Sequence, residues 1–221
     1  MKNMKTSNII IIAFVVFMLG STITLFVDAK NHKSAEKRNN INHSYPLPDF
    51  SVVVASDSAD MHIEQANRCE VMVELIKDKQ VPAHLYEVRN DTLFIKGGLR
   101  TFVKCEKIHS LIIDRAFWVG GHDLSRDSLS VNMRGGHLEL YNFNVKSPVA
   151  LRMYLTDSAT LEVSQMNLRC FDLTADYSKI NLNGKLHLVK ATLSHKARLE
   201  LNHAPEQIVM MRDTTSYINI Y

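Results

Sequence analysis

Three cysteines in 221 residues are too few and too scattered to organise this chain. Cys69, Cys105 and Cys170 are separated by dozens of positions, which matches none of the close paired spacings that zinc sites or redox dithiols use. At most one disulfide can form, and the three read as small buried hydrophobes rather than as the staples of a secreted mini-scaffold. Glycine is also scarce. Six of the eight glycines come in pairs, Gly97-Gly98, Gly120-Gly121 and Gly135-Gly136, which read as turns, and no helical pattern follows any pair to build a phosphate cradle. No Ser-His-Asp order, nucleotide loop or metalloprotease motif is present. An excess of one charge is missing from most of the chain as well. The formal +3 arises in the stretch 1–40, with six Lys/Arg against two Asp/Glu, and leaves 20 against 21 over 41–221. Binding to phosphates needs a clustered basic surface, so nucleic acid is excluded as a partner. Helical periodicity is lacking too: the nearest window, Ala66 to Lys77, reads equally as strand.

What is present is a repeat. An apolar-polar-apolar triplet recurs as Leu161-Glu162-Val163, Ile180-Asn181-Leu182, Leu199-Glu200-Leu201 and Ile218-Asn219-Ile220, so that its first position advances from 161 to 180, 199 and 218 by a constant step of 19. Strand side chains alternate between faces, so each triplet sends two apolar residues one way and one polar residue the other. A constant step means stacked coils. The spacing predicts an all-β fold, a β-solenoid, with buried columns Leu161, Ile180, Leu199, Ile218 and Val163, Leu182, Leu201, Ile220. Upstream, Phe50-Ser51-Val52-Val53-Val54, Met61-His62-Ile63, Val71-Met72-Val73 and Leu93-Phe94-Ile95 continue the pattern of short β runs between polar turns.

Residues 6–27 carry no charge, and Ile9 to Val27 is long enough to span a bilayer core as one helix. The expected organisation is a membrane anchor or uncleaved signal over 1–29, a polar linker over 30–49 ending in Pro46 and Pro48, and a β-solenoid over 50–221. Cleavage near Val27-Asp28-Ala29 is the alternative. Lys30, Lys33, Lys37 and Arg38 after the helix outnumber Lys2 and Lys5 before it, yet long domains translocate with little regard for charge. The expected location is a bacterial inner membrane, crossed once by residues 9–27, with the C-terminal domain in the periplasm.

The runs from Phe50 to Val54, Met61 to Gln65 and Val71 to Val73, with Asn90-Asp91-Thr92-Leu93-Phe94-Ile95 and the Leu-x-Leu rungs downstream, resemble the bacterial auto-transporter adhesin head domain of the GIN type over about residues 50–221. The resemblance implies a right-handed parallel β-helix of the envelope of Bacteroides-like bacteria and carries over no catalytic residue. This chain departs from that pattern in having little glycine between rungs and larger residues such as Tyr177, Lys179, Lys196 and Arg198 on the polar face.

Several constellations invite a chemical reading. His187, His195 and His203 step by eight, which does not match a coil of 19, so they are not expected to converge on a metal. Asp57-Ser58-Ala59-Asp60 and Asp157-Ser158-Ala159 have calcium-like composition but also the composition of turns between strands, which is the reading preferred. Glu162, Asn181, Glu200 and Asn219 form a polar column in register. Glu162 and Glu200 lie two coils apart, about 10 Å at ~4.8 Å per rung, at the long edge of the roughly 5–9.5 Å of paired glycosidase carboxylates. Among the aromatics Phe117, Trp118, Tyr141, Phe143, Tyr154, Phe171, Tyr177 and Tyr217, the single Trp118 is the candidate for stacking on a sugar. The expected function is a membrane-anchored, non-enzymatic binding or adhesion surface for a glycan or envelope protein, with Glu162, Asn181, Glu200, Asn219 and Trp118 as ligand-binding candidates and no metal or cofactor. A structural or sensory partner of another envelope protein and a carbohydrate-active enzyme are the alternatives.

Overall fold

The computed structural model of the chain describes residues 14–28, 40–76, 80–82, 84–124, 128–142 and 149–221. Two compact units result, one comprising residues 1–41 with 76–79 and the other residues 42–75 with 80–221.

The described part of the first unit includes helix α1, residues 14–28. Its few polar side chains turn back on the helix itself: the Ser21 and Thr22 hydroxyls donate to the Met18 carbonyl, and Thr24 donates to Gly20. Phe14, Phe17, Leu19, Ile23, Leu25 and Phe26 are all exposed. The membrane helix expected over 9–27 is not shown. The described helix reaches about 22 Å, against the ~30 Å of a bilayer core, and among the described residues no helix is long and apolar enough to cross one. Residues 9–13 of the expected span lie outside the described residues.

In the second unit the coils stack as two parallel ladders, each coil giving one strand to either ladder. Ladder A runs β6 (Thr92–Lys96), β2 (Val52–Ser56), β8 (Ser110–Asp114), β10 (Ser128–Arg134), β12 (Val149–Thr156), the later halves of β13 (Thr160–Asp176) and β14 (Lys179–Ser194), then β16 (Gln207–Arg212). Ladder B runs β7 (Arg100–Cys105), β3 (Asp60–Gln65), β9 (Trp118–His122), β11 (His137–Tyr141), the earlier halves of β13 and β14, β15 (Arg198–Leu201) and β17 (Tyr217–Ile220). The constant step of the repeat is read correctly: Leu161, Ile180, Leu199 and Ile218 pair in one column, and Val163, Leu182, Leu201 and Ile220 in the next. Their columns continue through Leu138 and Leu140 to Val119, Gly121, Met61 and Ile63, and nearly all of these side chains are sealed from water. Apolar columns packed at interior density hold the coils together, and backbone ladders fix their register.

Corners are made where the backbone turns left-handed. Asp57 and Ser58, Arg115, Gly135 and Gly136, Asp157 and Ser158, Tyr177, and His195 with Lys196 all have positive φ between ladders A and B. Successive corners hydrogen-bond, as in Arg115 N to Arg134 O at 2.8 Å and Gly135 N to Thr156 O at 2.9 Å. The two Asp-Ser-Ala segments are turns, as expected from their side chains. The return from B to A is made within β13 and β14 at a register shift: Gln165 has φ 52°, and at Gly184, φ 149°, a Cβ would lie 2.5 Å from the Met166 carbonyl oxygen. Gly120-Gly121 is not the turn expected; both residues lie inside β9 and are buried. Their lack of side chains makes room for neighbours on both faces of the sheet rather than for a bend.

The chain does not stack in order. After the β2–β3 coil it forms β4 (Glu70–Ile76) and β5 (Tyr86–Arg89), lays the β6–β7 coil on one side of β2–β3, then crosses to β8–β9 on the other. β4 pairs antiparallel with β7 and β5 antiparallel with β6, closing that end. β1 (Asn40–Pro46) pairs with β4, and Leu47 N donates to Cys69 O at 3.0 Å, so strand structure begins within the expected linker, ahead of Phe50. Cys69, Cys105 and Cys170 form no disulfide; the first two are buried and Cys170 is half-exposed.

Candidate functional site

The outward faces of the two ladders differ in chemistry. Ladder A carries matched charges: Arg134 grips Asp114 with two bonds of 2.9 Å, and Arg152 lies 3.7 Å from Asp172. The Arg134 hydrogen bond holds the Asp114 carboxyl below its usual range despite some desolvation. Between these pairs the outward column Val54, Ile112, Asn132, Tyr154 and Thr174 mixes single apolar and polar side chains, with Ile112 and Tyr154 exposed.

Ladder B carries rings. The outward column reads Met72, Phe102, His62, Gly120, Glu139, Glu162, Asn181, Glu200, Asn219 in consecutive pairings. At the Gly120 slot a Cβ would lie 2.1 Å from Trp118 Cη2, so the absent side chain is what lets the indole lie across the column. There it stacks on His62, ring centroids 5.8 Å apart and planes 15° from parallel. His62 also meets Phe102 at 6.0 Å and His122 at 6.2 Å, and His122 stacks on Tyr141 at 5.3 Å. Phe102, His62, Trp118, His122 and Tyr141 thus form one continuous patch of partly exposed ring faces. Burial lowers the pKa of His62 from its ordinary value, and the neighbouring His122 lowers it further. A neutral imidazole stacks without bringing charge among the rings. His122 is anchored by Asp123 at 2.6 Å.

All five residues singled out from the sequence lie on this outward face. Glu162, Asn181, Glu200 and Asn219 occupy successive coils, as expected, and Trp118 lies further along, over the same column. Asparagine alternates with glutamate, which keeps Glu162 and Glu200 about 10 Å apart and limits their repulsion. Glu139, missed in the sequence, sits directly beside Glu162 and joins the polar half to the aromatic half. His62, Phe102 and His122 were missed as well. For His62, Phe102 and Glu139 the signal was legible in Met61-His62-Ile63, Thr101-Phe102-Val103 and Leu138-Glu139-Leu140, which are variants of the same triplet at uneven spacing.

The remaining candidates do not converge. His187 meets Glu206 at 3.0 Å and His195 meets Asp176 at 2.6 Å, as separate pairs. Among the described residues no group of three or more His, Cys, Asp or Glu could hold a metal ion. Phe171 is core, Phe117 is largely exposed, and Arg198 covers Tyr217 with its guanidinium 4.5 Å from the ring centre. Phe143 lies outside the described residues. A separate open hollow of about 280 Å³ lies at the closed end, lined by His84, Tyr86, Glu87, Phe94 and Lys96.

No family model and no curated protein matches the chain. Solved structures do. A structure from Bacteroides fragilis, described as a "putative adhesin", aligns over 82% of this chain and 97% of its own, at 10% identity and a TM-score of 0.56. A "putative adhesin" from Parabacteroides distasonis aligns over 81% and 97% at 12% identity and 0.47, and a "putative lipid binding protein" from the same species over 83% and 97% at 12% and 0.41. The likeness is one of fold. It agrees with the β-solenoid and with the structural similarity to Bacteroidetes adhesins that the sequence resemblance implied, and it says nothing of a ligand.

Proposed function

We propose that the outward face of ladder B is a non-enzymatic carbohydrate-binding surface of an envelope protein. The observation that carries this is the Trp118–His62 stack, continuous with the His122–Tyr141 stack and flanked in register by Glu139, Glu162, Asn181, Glu200 and Asn219. Sugar rings present apolar C–H faces that pack on aromatic rings, and hydroxyls that carboxylates and amides receive or donate to. Coils ~4.8 Å apart repeat these groups at a spacing close to a sugar ring's width, so weak contacts along the face add. The interior is filled by its own apolar columns, which leaves the surface to do the binding. The adhesin name of the Bacteroides fragilis structure agrees with a binding rather than a catalytic role.

The envelope setting is part of the same proposal. Helix α1 exposes apolar side chains around its circumference, a surface suited to lipid or to a protein partner, and the segment 9–27 would tether the solenoid with its ladders outside the inner membrane. Protease digestion of the C-terminal domain in spheroplasts but not in intact cells is the expected result; protection until lysis would place the domain in the cytosol. The binding test is a panel of immobilised neutral and acidic glycans probed with the wild-type chain and with Trp118→Ala. The expectation is at least one bound class, lost by about tenfold or more in the variant. A wild-type chain that binds nothing, or a variant that binds equally, ends this reading.

A further inference from the structure

At the C-terminal end of the solenoid the core columns run out. Val189, Leu199 and Leu201 are sealed, but the next residues in their columns are not: Ile208 is 41% exposed, Ile220 46%, and Ile218 is only half-buried. Val209 and Met211, on the outward side of the same last strand, are more exposed still. Among the described residues β16 pairs only with β14 and β17 only with β15, so their outer backbone groups form an edge. That edge is lightly protected: β16 reads Gln-Ile-Val-Met-Met-Arg, without proline, lysine or a bulge, and its single charge, Arg212, stands at the end of the strand.

We infer that this end docks on the same end of a second copy of the chain, with β16 pairing antiparallel to its counterpart about a two-fold axis. The other end of the solenoid is closed by β4 and β5, so head-to-tail stacking would set an exposed apolar edge against a finished one. End-to-end pairing of two open ends matches like with like and closes after two. Register follows from side-chain parity. Lumen-facing residues must meet lumen-facing residues, which requires the axis to pass through a residue rather than between two. Centring on Val209 places Ile208 opposite the partner's Met210, extending the apolar lumen, and places Glu206 opposite the partner's Arg212, twice. Centring on Met210 would set Arg212 against the partner's Ile208 instead. Charge complementarity therefore selects Val209. Both charged groups are exposed and only lightly held: Glu206 leans on His187, and Arg212 donates to the Ser216 carbonyl.

The test uses the full chain in detergent micelles. Antiparallel pairing about Val209 brings the two copies of that residue to about 5 Å between Cα atoms, within disulfide reach, while the two copies of Gln207 stand about 14 Å apart. Under mild oxidation Val209→Cys is expected to give a cross-linked dimer and Gln207→Cys to stay single. In sedimentation velocity Arg212→Glu weakens the dimer by about tenfold, and adding Glu206→Arg restores it. A monomer at every concentration, larger polymers, or equal cross-linking at 207 and 209 overturns the inference. The paired cysteines also separate this contact from any association through α1, which would not discriminate between two positions so close together in sequence.

Discussion

The two ends of the solenoid are built from the same kind of coil and finished in opposite ways. At one end the columns Met61–Thr101 and Ile63–Val103 are extended by Val73 and Val71 of an antiparallel strand, and all six side chains are sealed. Val73, Leu75 and Leu85 then form a small apolar cluster of their own, with Tyr45, Val81, Tyr86 and Leu99 packed against it. A carboxylate closes the structure: Glu70, almost fully buried, accepts from Ser44 at 3.1 Å and meets Lys104 at 3.3 Å and Arg68 at 3.1 Å. At the other end the columns stop at Ile208, Ile218 and Ile220 with nothing laid over them among the described residues. A solenoid core has no intrinsic boundary, because every coil buries its neighbour and needs one in turn. Ending it requires a different kind of strand, and among the described residues only one end has it.

The sharpest way to test that asymmetry is to place the same charge at each end. Val73→Asp buries an unpaired carboxylate under the closing strand and should cost about 4 kcal/mol, whereas Ile220→Asp, at a dilution where the chain is single, should change stability by under about 0.5 kcal/mol. Urea unfolding of the two variants reads both. Equal losses would mean that the C-terminal end is as closed as the other. Glycine at the aromatic patch offers the next contrast. Gly120→Val drives methyl groups into the space of the Trp118 indole, and roughly 1–3 kcal/mol of stability should go with the stack. Tryptophan fluorescence should shift as the ring is displaced, and glycan binding should fall with it.

How far the sequence disclosed these features follows from the same contrast. From Leu161 onward the step along ladder B is constant, so it exposed columns, register and the polar row from Glu162 to Asn219 together. Upstream the columns are equally real but the step is not constant, since β4 and β5 intervene between the β3 and β7 strands that pair. Val71-Met72-Val73 looked like one more rung because alternation is the same for a parallel coil and an antiparallel cap; only pairing direction tells them apart, and alternation carries no direction. His62 escaped notice for a related reason. Its ring matters through Trp118, and the two meet only because Gly120, which reads as punctuation in the sequence, holds open a slot in a strand.

The closing carboxylate makes a smaller effect, with a defined sign. Burial alone would push the Glu70 carboxyl up, but the Ser44 hydroxyl, Lys104 and Arg68 outweigh it and hold it below the usual range. A folded-state value below the unfolded one means that the stabilisation is complete above the ordinary carboxylate range and is lost as pH falls through the folded value. Glu70→Gln should cost about 1–2 kcal/mol at neutral pH, moderated because Arg68 and Lys104 can return to water, and should flatten that acid loss. Urea midpoints at neutral and acid pH check it; a variant with the wild-type acid slope would remove Glu70 from the account.

The aromatic face should respond to pH at a higher value and more weakly. His62 has its folded pKa lowered, first by burial and then by His122, so its neutral form is the one the fold favours. By the same linkage the contribution is present above the ordinary 6.5 and fades as pH falls through the lowered value, where a proton on His62 would face Arg100 and His122, with Glu64 and Glu139 only partly compensating. Glycan binding is expected to weaken a few-fold between about pH 7 and pH 5, because a protonated imidazole holds water and no longer stacks as a neutral ring. His62→Phe keeps a ring without a titrating nitrogen, and should bind at about pH 7 and lose the pH dependence. If His62→Phe titrates as the wild type does, His62 is not the source of the sensitivity.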